Sequence, residues 1–249
     1  MKKDFWKDWK NKNKVELNGI SVTKKARKLI LNNIPNREII GIYSKGSFPR
    51  REMNQKSDID LITIIKHSKY LPKIQKLQKD NKTSLGLPIH LESVSIFELK
   101  NGIKCKSSGK QGKTTSRIMK QIPNFKIIYG KGLTHRNFPA RTDKKDLESL
   151  IKFYKNILIP SYKNKKVEFS NIVKATFWLV EDEQRFKGKK SSTSWKNLAG
   201  SVKDKNHIIH ETLKLRLKPT KDKVIRQNFL RKLIRYMSKL EKDLKEASN

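Results

Sequence analysis

The spacing of apolar residues changes along the chain, and this change predicts two structural halves. Apolar residues at helical spacing over 15–34 predict a helix that Pro35 ends. Short apolar runs follow at 39–43, 58–65 and 88–96, and each predicts a strand with at least one buried face. The first half of the chain is therefore expected to combine helices with a β-sheet.

Beyond about residue 140 the apolar pattern is helical only. Before that point, 69–80 predicts one more helix and 125–130 a short strand that closes the first half. The later apolar stripes are Leu147 to Leu158, which we expect Pro160 to end, Ile172 to Leu179, and Val224 to Leu244. We predict an α+β protein with an N-terminal α/β domain at 1–136 and a C-terminal helical bundle at 137–249.

Basic residues dominate the composition. The chain has 249 residues, with 59 Lys and Arg against 23 Asp and Glu, which gives a formal net charge of +36. Such a charge favours a polyanionic partner, namely a nucleic acid, nucleotide phosphates or an anionic membrane surface. A genome biased towards lysine codons would produce the same excess without a partner, so both explanations stay open.

Several classes of protein are disfavoured by what the sequence lacks. Its single cysteine, Cys105, rules out a disulfide framework and a cysteine-based zinc cluster. This cysteine lies in a segment, 100–116, whose Gly, Ser, Thr and Lys content predicts a loop. No apolar run is long enough to span a bilayer, and the basic start of the chain has no apolar segment typical of a secretory signal. We expect a cytoplasmic protein that does not enter a membrane.

One motif carries specific chemistry. Gly46 and Ser47 form a predicted turn after the first strand, and ten residues separate this pair from Asp58. Because side chains alternate along a strand, Asp58 and Asp60 are expected to share one face. Glu92 is a carboxylate on the next predicted strand. Two aspartates at this spacing are common by themselves, and it is the whole combination that is specific.

These residue types suit the handling of a nucleoside triphosphate. Gly46 permits a tight turn whose backbone amides can face phosphate oxygens, and Ser47 adds a hydroxyl. The two aspartates offer hard oxygen ligands for Mg²⁺, which binds carboxylates together with substrate phosphates. Glu92 either accepts a proton from an attacking hydroxyl or completes a second metal site, and both roles stay open. The predicted reaction is attack on the α-phosphorus with release of pyrophosphate.

The same residues resemble the nucleotidyltransferase superfamily typified by DNA polymerase β. Within it, they are most similar to the aminoglycoside adenylyltransferases of the streptomycin and spectinomycin type. The block from Lys45 to Leu61 resembles the first motif of that group, and the block from His90 to Val94 resembles the one with its third carboxylate. Weaker similarities to later segments of these enzymes are found at 126–130, 172–178 and 194–199.

The resemblance implies a catalytic nucleotidyltransferase domain with a small mixed sheet, followed by a helical acceptor-binding domain. It implies ATP as a substrate and Mg²⁺, as two ions, as the cofactor. The group usually has an aromatic or small residue where Lys45 stands, so Lys45 is a departure from its pattern. The residues that the resemblance assigns are Gly46, Ser47 and Lys196 to nucleotide binding, and Asp58, Asp60 and Glu92 to catalysis and metal binding.

The identity of the acceptor is left open by the sequence. A net charge of +36 disfavours a polycationic aminoglycoside. The acidic run from Glu181 to Glu183 could hold a cation in a cleft between the halves, although a solvated helix end is the favoured interpretation. We predict transfer of AMP from ATP to a hydroxyl of a small molecule or an RNA. The alternatives are an RNA- or tRNA-directed nucleotidyltransferase and a catalytically inactive nucleic-acid-binding protein of the same fold.

Overall fold

The chain divides into two compact units, Met1–Arg141 and Thr142–Asn249, where the sequence predicted a division after residue 136. The computed structural model describes residues 4–55, 57–103, 115–134, 138–189, 192 and 194–247. The centre of the predicted loop at 100–116, with Cys105, lies outside the described residues.

The N-terminal unit is built on a four-stranded sheet with the strand order β3-β2-β1-β4. β1 pairs antiparallel with both β2 and β4, and β2 pairs in parallel with β3. The sheet is therefore mixed, and the predicted α+β class is confirmed. The strands are β1 (Ile39–Lys45), β2 (Ile59–Ile65), β3 (Ile89–Ser95) and β4 (Lys126–Gly130).

Helices cover both faces of this sheet, and the alternation along the strands decides which helices each face meets. Leu61 and Leu91 belong to the apolar cluster formed with α1 and α2. Ile62 and Val94 point to the opposite face and belong to the cluster formed with α3 and α4. The helices are α1 (Lys14–Asn33), α2 (Leu71–Asp80), α3 (Ile96–Asn101) and α4 (Thr115–Gln121).

The sequence pattern did not predict α3 and α4. Both are short, and their ends extend into the segment predicted as a loop. α3 begins with a capping box, in which the Ser95 side chain accepts from the Glu98 backbone N–H and the Glu98 carboxylate accepts from the Ser95 backbone N–H. A reciprocal cap of this kind can start a helix that is too short to show helical periodicity.

The C-terminal unit is helical, and its core consists of apolar residues from α5 to α10. Within the described part of the chain, no helix combines the length and the apolar character needed to cross a bilayer. The helices are α5 (Asp143–Phe153), α6 (Ile159–Lys163), α7 (Phe169–Phe186), α8 (Trp195–Ser201), α9 (Ile208–Leu217) and α10 (Lys223–Glu246).

The prediction that Pro160 ends the first stripe of this unit is wrong. A π-helical turn, Tyr154–Leu158, continues α5 and leads directly into α6, where Pro160 is the second residue. Proline lacks a backbone N–H and clashes with the preceding turn of a regular α-helix. Since a π-turn widens the backbone and changes its hydrogen-bonding register, the chain can continue in helical conformation past this proline.

Candidate active site

The candidate active site begins at the turn that leaves β1. Gly46 has a φ angle of +78°, in the left-handed region that favours glycine. A Cβ atom built on Gly46 would lie 2.2 Å from Oδ2 of Asp60, so the backbone of the turn passes directly against this carboxylate. Only glycine allows both the backbone conformation and the close approach.

Four charged side chains lie on one face at this end of the sheet. Lys45, the last residue of β1, pairs in register with Asp60 near the start of β2, and Asp60 pairs with His90 on β3. Because Glu92 lies two residues after His90, it shares this face. The same face is apolar further along, where Ile62 and its neighbours pack under α3 and α4. The polar cluster therefore lies next to the apolar residues that pack against α3 and α4 on this face.

Short contacts join these four side chains. Nζ of Lys45 lies 2.6 Å from Oε1 of Glu92, and both side chains are largely buried. Nδ1 of His90 lies 3.2 Å from Oδ1 of Asp60 and 3.8 Å from Oε1 of Glu92. The hydrogen bond with Asp60 raises the pKa of His90 against the opposing effect of burial. The cluster therefore pairs two carboxylates with two basic groups.

The donor chemistry of this site fits Mg²⁺ in part. Aspartate carboxylates beside a turn that can hold phosphates are the combination that Mg²⁺ uses when it binds with a nucleotide. Among the described residues, however, no group of three or more His, Cys, Asp or Glu side chains is arranged to hold a metal ion. One or two carboxylates would suit the ion if phosphate oxygens of the nucleotide completed its coordination. The described residues do not form a site that coordinates the ion with protein groups alone.

The other residues named from the sequence lie in different places. Asp58 directly precedes β2, so the predicted strand at 58–65 begins one residue later than expected. Ser47 follows Gly46 in the turn and is partly exposed. Lys196 is an exposed residue in the first turn of α8, in the C-terminal unit. The roles of all these residues stay predictions.

The turn that carries Ser47 is anchored to α1. Phe48 is fully buried in an aromatic cluster with Phe5, Trp6 and Trp9, at centroid distances of 5.3–5.9 Å. Arg51 donates from Nε and Nη2 to both carboxylate oxygens of Glu16 on α1, at 2.7 and 3.0 Å. Apolar packing and an ion pair together restrict the backbone on the C-terminal side of the turn.

A second polar cluster lies in the C-terminal unit and corrects a prediction. The acidic run from Glu181 to Glu183 was expected to be a solvated helix end, but all three residues are buried. The Glu183 carboxylate accepts hydrogen bonds from Tyr236 at 2.6 Å and from Lys187 at 2.7 Å, and His207 lies 3.1 Å away. Buried carboxylates need such partners. Here Tyr236 of α10, His207 at the start of α9 and Lys187 at the end of α7 supply them.

The comparisons with known proteins concern the fold. No family model and no curated protein matches the sequence. The chain is similar in fold to a spectinomycin adenyltransferase. That protein is the spectinomycin adenyltransferase AAD(9) from Enterococcus faecialis, in a crystal structure with ATP and spectinomycin. The TM-score is 0.54 at 17% sequence identity, over 92% of this chain and 99% of that chain.

The similarity to the spectinomycin adenyltransferase shows the fold alone, because the identity is low. The observed fold agrees with the fold that the motif resemblance implies. The closer relationship to aminoglycoside adenylyltransferases stays a prediction.

The sequence pattern missed two members of the cluster. His90 received no role, although the alternation of β3 places it on the same face as Glu92. Lys45 stands out in the sequence as a departure from the family pattern that either adds a charge facing the phosphates or has no role, and its contact with Glu92 is not predicted. Its contact with Glu92 crosses β2, and pattern periodicity does not give distances between strands that are remote in sequence.

Proposed function

We propose that this protein is a Mg²⁺-dependent nucleotidyltransferase that transfers AMP from ATP to a hydroxyl group of an acceptor and releases pyrophosphate. The observation that carries the proposal is the close approach of the Gly46 turn to Asp60, with Glu92 on the same face of the sheet. A turn of this kind beside carboxylates suits a metal-bound triphosphate. The shared fold with an adenyltransferase supports the same reaction class.

In this proposal the turn holds the triphosphate. Backbone N–H groups at Gly46 and Ser47 donate to phosphate oxygens, and the Ser47 hydroxyl adds a further donor. Asp58 and Asp60 would hold Mg²⁺, which when bound offsets the charge that develops on the phosphates. Lys196 is proposed as an additional contact to the triphosphate.

The acceptor hydroxyl attacks the α-phosphorus in the proposed reaction. Glu92 accepts the hydroxyl proton while the new phosphorus–oxygen bond forms and the bond to pyrophosphate breaks. His90 and Lys45, which lie beside the carboxylates, restrict the orientation of Asp60 and Glu92. Their fixed positions reduce the reorganisation needed during the reaction.

The experiment that tests this function follows label from α-³²P-labelled ATP into a mixture of cell RNA and small metabolites, aminoglycosides included. We expect Mg²⁺-dependent labelling that the Asp58→Ala/Asp60→Ala variant loses. Asp80→Ala, on the exposed end of α2, is the control and should retain the activity. Labelling that persists in the double variant would contradict the proposed site. If neither protein transfers label and the Asp58→Ala/Asp60→Ala variant keeps the biological activity, the protein is a binding protein of this fold.

An RNA acceptor is a second candidate, and the charge of α10 favours it. This helix carries eight basic and three acidic residues along its length. Arg231, Arg235 and Lys239 are exposed and follow one another at intervals of four residues, so they share one face of the helix. Like charges in this arrangement destabilise an isolated helix, and a phosphate backbone would relieve their repulsion.

Salt-dependent RNA binding tests this second candidate. Replacement of Arg231, Arg235 and Lys239 by Gln should weaken RNA binding and reduce its dependence on salt concentration. The matched control replaces three exposed lysines of α2 by Gln and removes the same charge; these are Lys73, Lys76 and Lys79. Equal losses in the two variants would mean that net charge alone, and no particular surface, binds RNA.

A further inference from the structure

Lys45 is a buried cation within the proposed active site. It is the last residue of β1, and only 8% of its side chain is exposed. The register of the sheet places it opposite Asp60, on the face that carries His90 and Glu92. A lysine in such a position can contribute charge where the reaction of a triphosphate would need it.

The partner of Lys45 explains how its charge is tolerated. An ammonium group removed from water is strongly disfavoured unless a carboxylate pairs with it. Glu92 provides that carboxylate at 2.6 Å, and its own side chain is only 16% exposed. The two charges therefore stabilise each other, and Glu92 has His90 as a second neighbour at 3.8 Å.

This pairing bears directly on the second metal ion that the family resemblance implies. A carboxylate bonded to an ammonium already has a cation beside it, and a divalent ion approaching the same group would be repelled by Lys45. Both Lys45 and His90 approach the same oxygen, Oε1 of Glu92.

We propose that the Lys45 ammonium takes the place of a second divalent ion at Glu92, so that the active site binds one divalent ion instead of two. This inference rests on the proposed nucleotidyl transfer and makes Lys45 a positioning residue that acts through Glu92. The single ion is the one that accompanies the nucleotide at Asp58 and Asp60.

The test counts bound ions without turnover. Mn²⁺ is titrated into the full chain with the non-reactive analogue α,β-methylene-ATP and no acceptor, and free Mn²⁺ is measured by electron paramagnetic resonance. We expect one bound ion per chain in the unaltered protein and in Lys45→Arg. Lys45→Met should bind a second ion, and Lys45→Met/Glu92→Gln should again bind one. Lys126→Met, an exposed lysine on β4, is the control and should bind one.

Each other result overturns a definite part of the argument. Two ions in the unaltered protein, or one ion in correctly folded Lys45→Met, would show that Lys45 does not replace a metal. If circular dichroism shows that Lys45→Met does not fold, the bound ions are counted in Glu92→Gln instead. This variant should still bind one ion per chain, because Glu92 is proposed not to hold a metal. A fall from two ions to one in Glu92→Gln would make Glu92 a metal ligand. The absence of any nucleotide-dependent ion would overturn the proposed function itself.

Discussion

Gly46 is the residue at which backbone conformation and site chemistry depend on each other. Its positive φ angle turns the chain at the end of β1, and the missing side chain lets the turn lie against Asp60. A residue with a Cβ would have to move either the turn or the carboxylate. Both are proposed to touch the metal-bound triphosphate, so a small displacement should have a large effect on the reaction.

We therefore predict that Gly46→Ala lowers nucleotidyl transfer by about 100-fold, because misplacement by about 1 Å has that effect on other enzymes. The cost in stability should be smaller, about 1–2 kcal/mol, as expected for a left-handed alanine. Gly188→Ala is the matched control, since Gly188 has a φ angle of +70° and a Cβ added there would meet no atom within 4 Å. Transfer rates and urea unfolding of both variants check this. Equal rate losses would mean that strain, and not contact with Asp60, is responsible.

At the scale of elements, polar side chains join segments that are distant in sequence. Arg51 ties the turn after β1 to Glu16 on α1, and its hydrogen bond lowers the pKa of Glu16 despite burial. In the C-terminal unit, Glu183 of α7 bonds to Tyr236 of α10 and to His207 at the start of α9. These contacts hold helices in register where apolar packing alone allows several arrangements.

The Glu183 cluster predicts how stability depends on pH. Burial by itself would raise the pKa of Glu183, but hydrogen bonds from His207, Lys187 and Tyr236 lower it to about 2 from an ordinary value of 4.5. Because the folded pKa lies below the unfolded one, this stabilisation is complete above about pH 5 and is lost as the pH falls towards 2. The full effect is roughly 3 kcal/mol. Asp243 also faces this cluster, with its Oδ2 atom 3.9 Å from Nζ of Lys187.

Urea unfolding between pH 7 and pH 3 measures this dependence. The unaltered protein should lose stability steeply below pH 5, whereas Glu183→Gln should start from a lower value and change less. Glu246→Gln, whose side chain is 65% exposed, should follow the unaltered protein. Parallel curves for Glu183→Gln and the unaltered protein would show that this carboxylate is not the titrating group.

At the scale of the whole molecule, the net charge of +36 acts on every charged ligand. A positive field attracts nucleoside triphosphates and repels polycationic acceptors, and salt screens both effects beyond about 10 Å. The buried acidic run of α7 does little to attract a polycationic acceptor, because the carboxylate of Glu183 already bonds to side chains of the protein. The charge therefore favours anionic substrates over aminoglycosides.

We predict that the affinity for Mg²⁺-free ATP falls several-fold between about 50 and 300 mM salt, because the attraction is increasingly screened. The affinity for adenosine, which has no charge, should stay nearly constant over the same range. Calorimetric titration of both ligands checks this prediction. A similar response for the two ligands would show that salt acts on the protein and not on the charge of the ligand.

The sequence by itself determined the mixed α and β character, the approximate positions of the strands, and which residues make up the motif from Gly46 to Glu92. These follow from local spacing, because apolar alternation and glycine turns depend on neighbouring residues. Local spacing gave a wrong helix end at Pro160, where a π-turn lets the helix continue. It also missed α3 and α4, which are too short to show helical periodicity.

The tertiary structure alone decided which charged groups meet. Lys45 and Glu92 are 47 residues apart, and only the order of the strands brings their side chains within 2.6 Å. Glu183 of α7 is buried beside His207 at the start of α9 and Tyr236 of α10, partners which are remote in sequence and which no local pattern predicts. Electrostatic interactions depend on distance and burial, which folding sets, whereas secondary structure depends mainly on residues close together in the sequence.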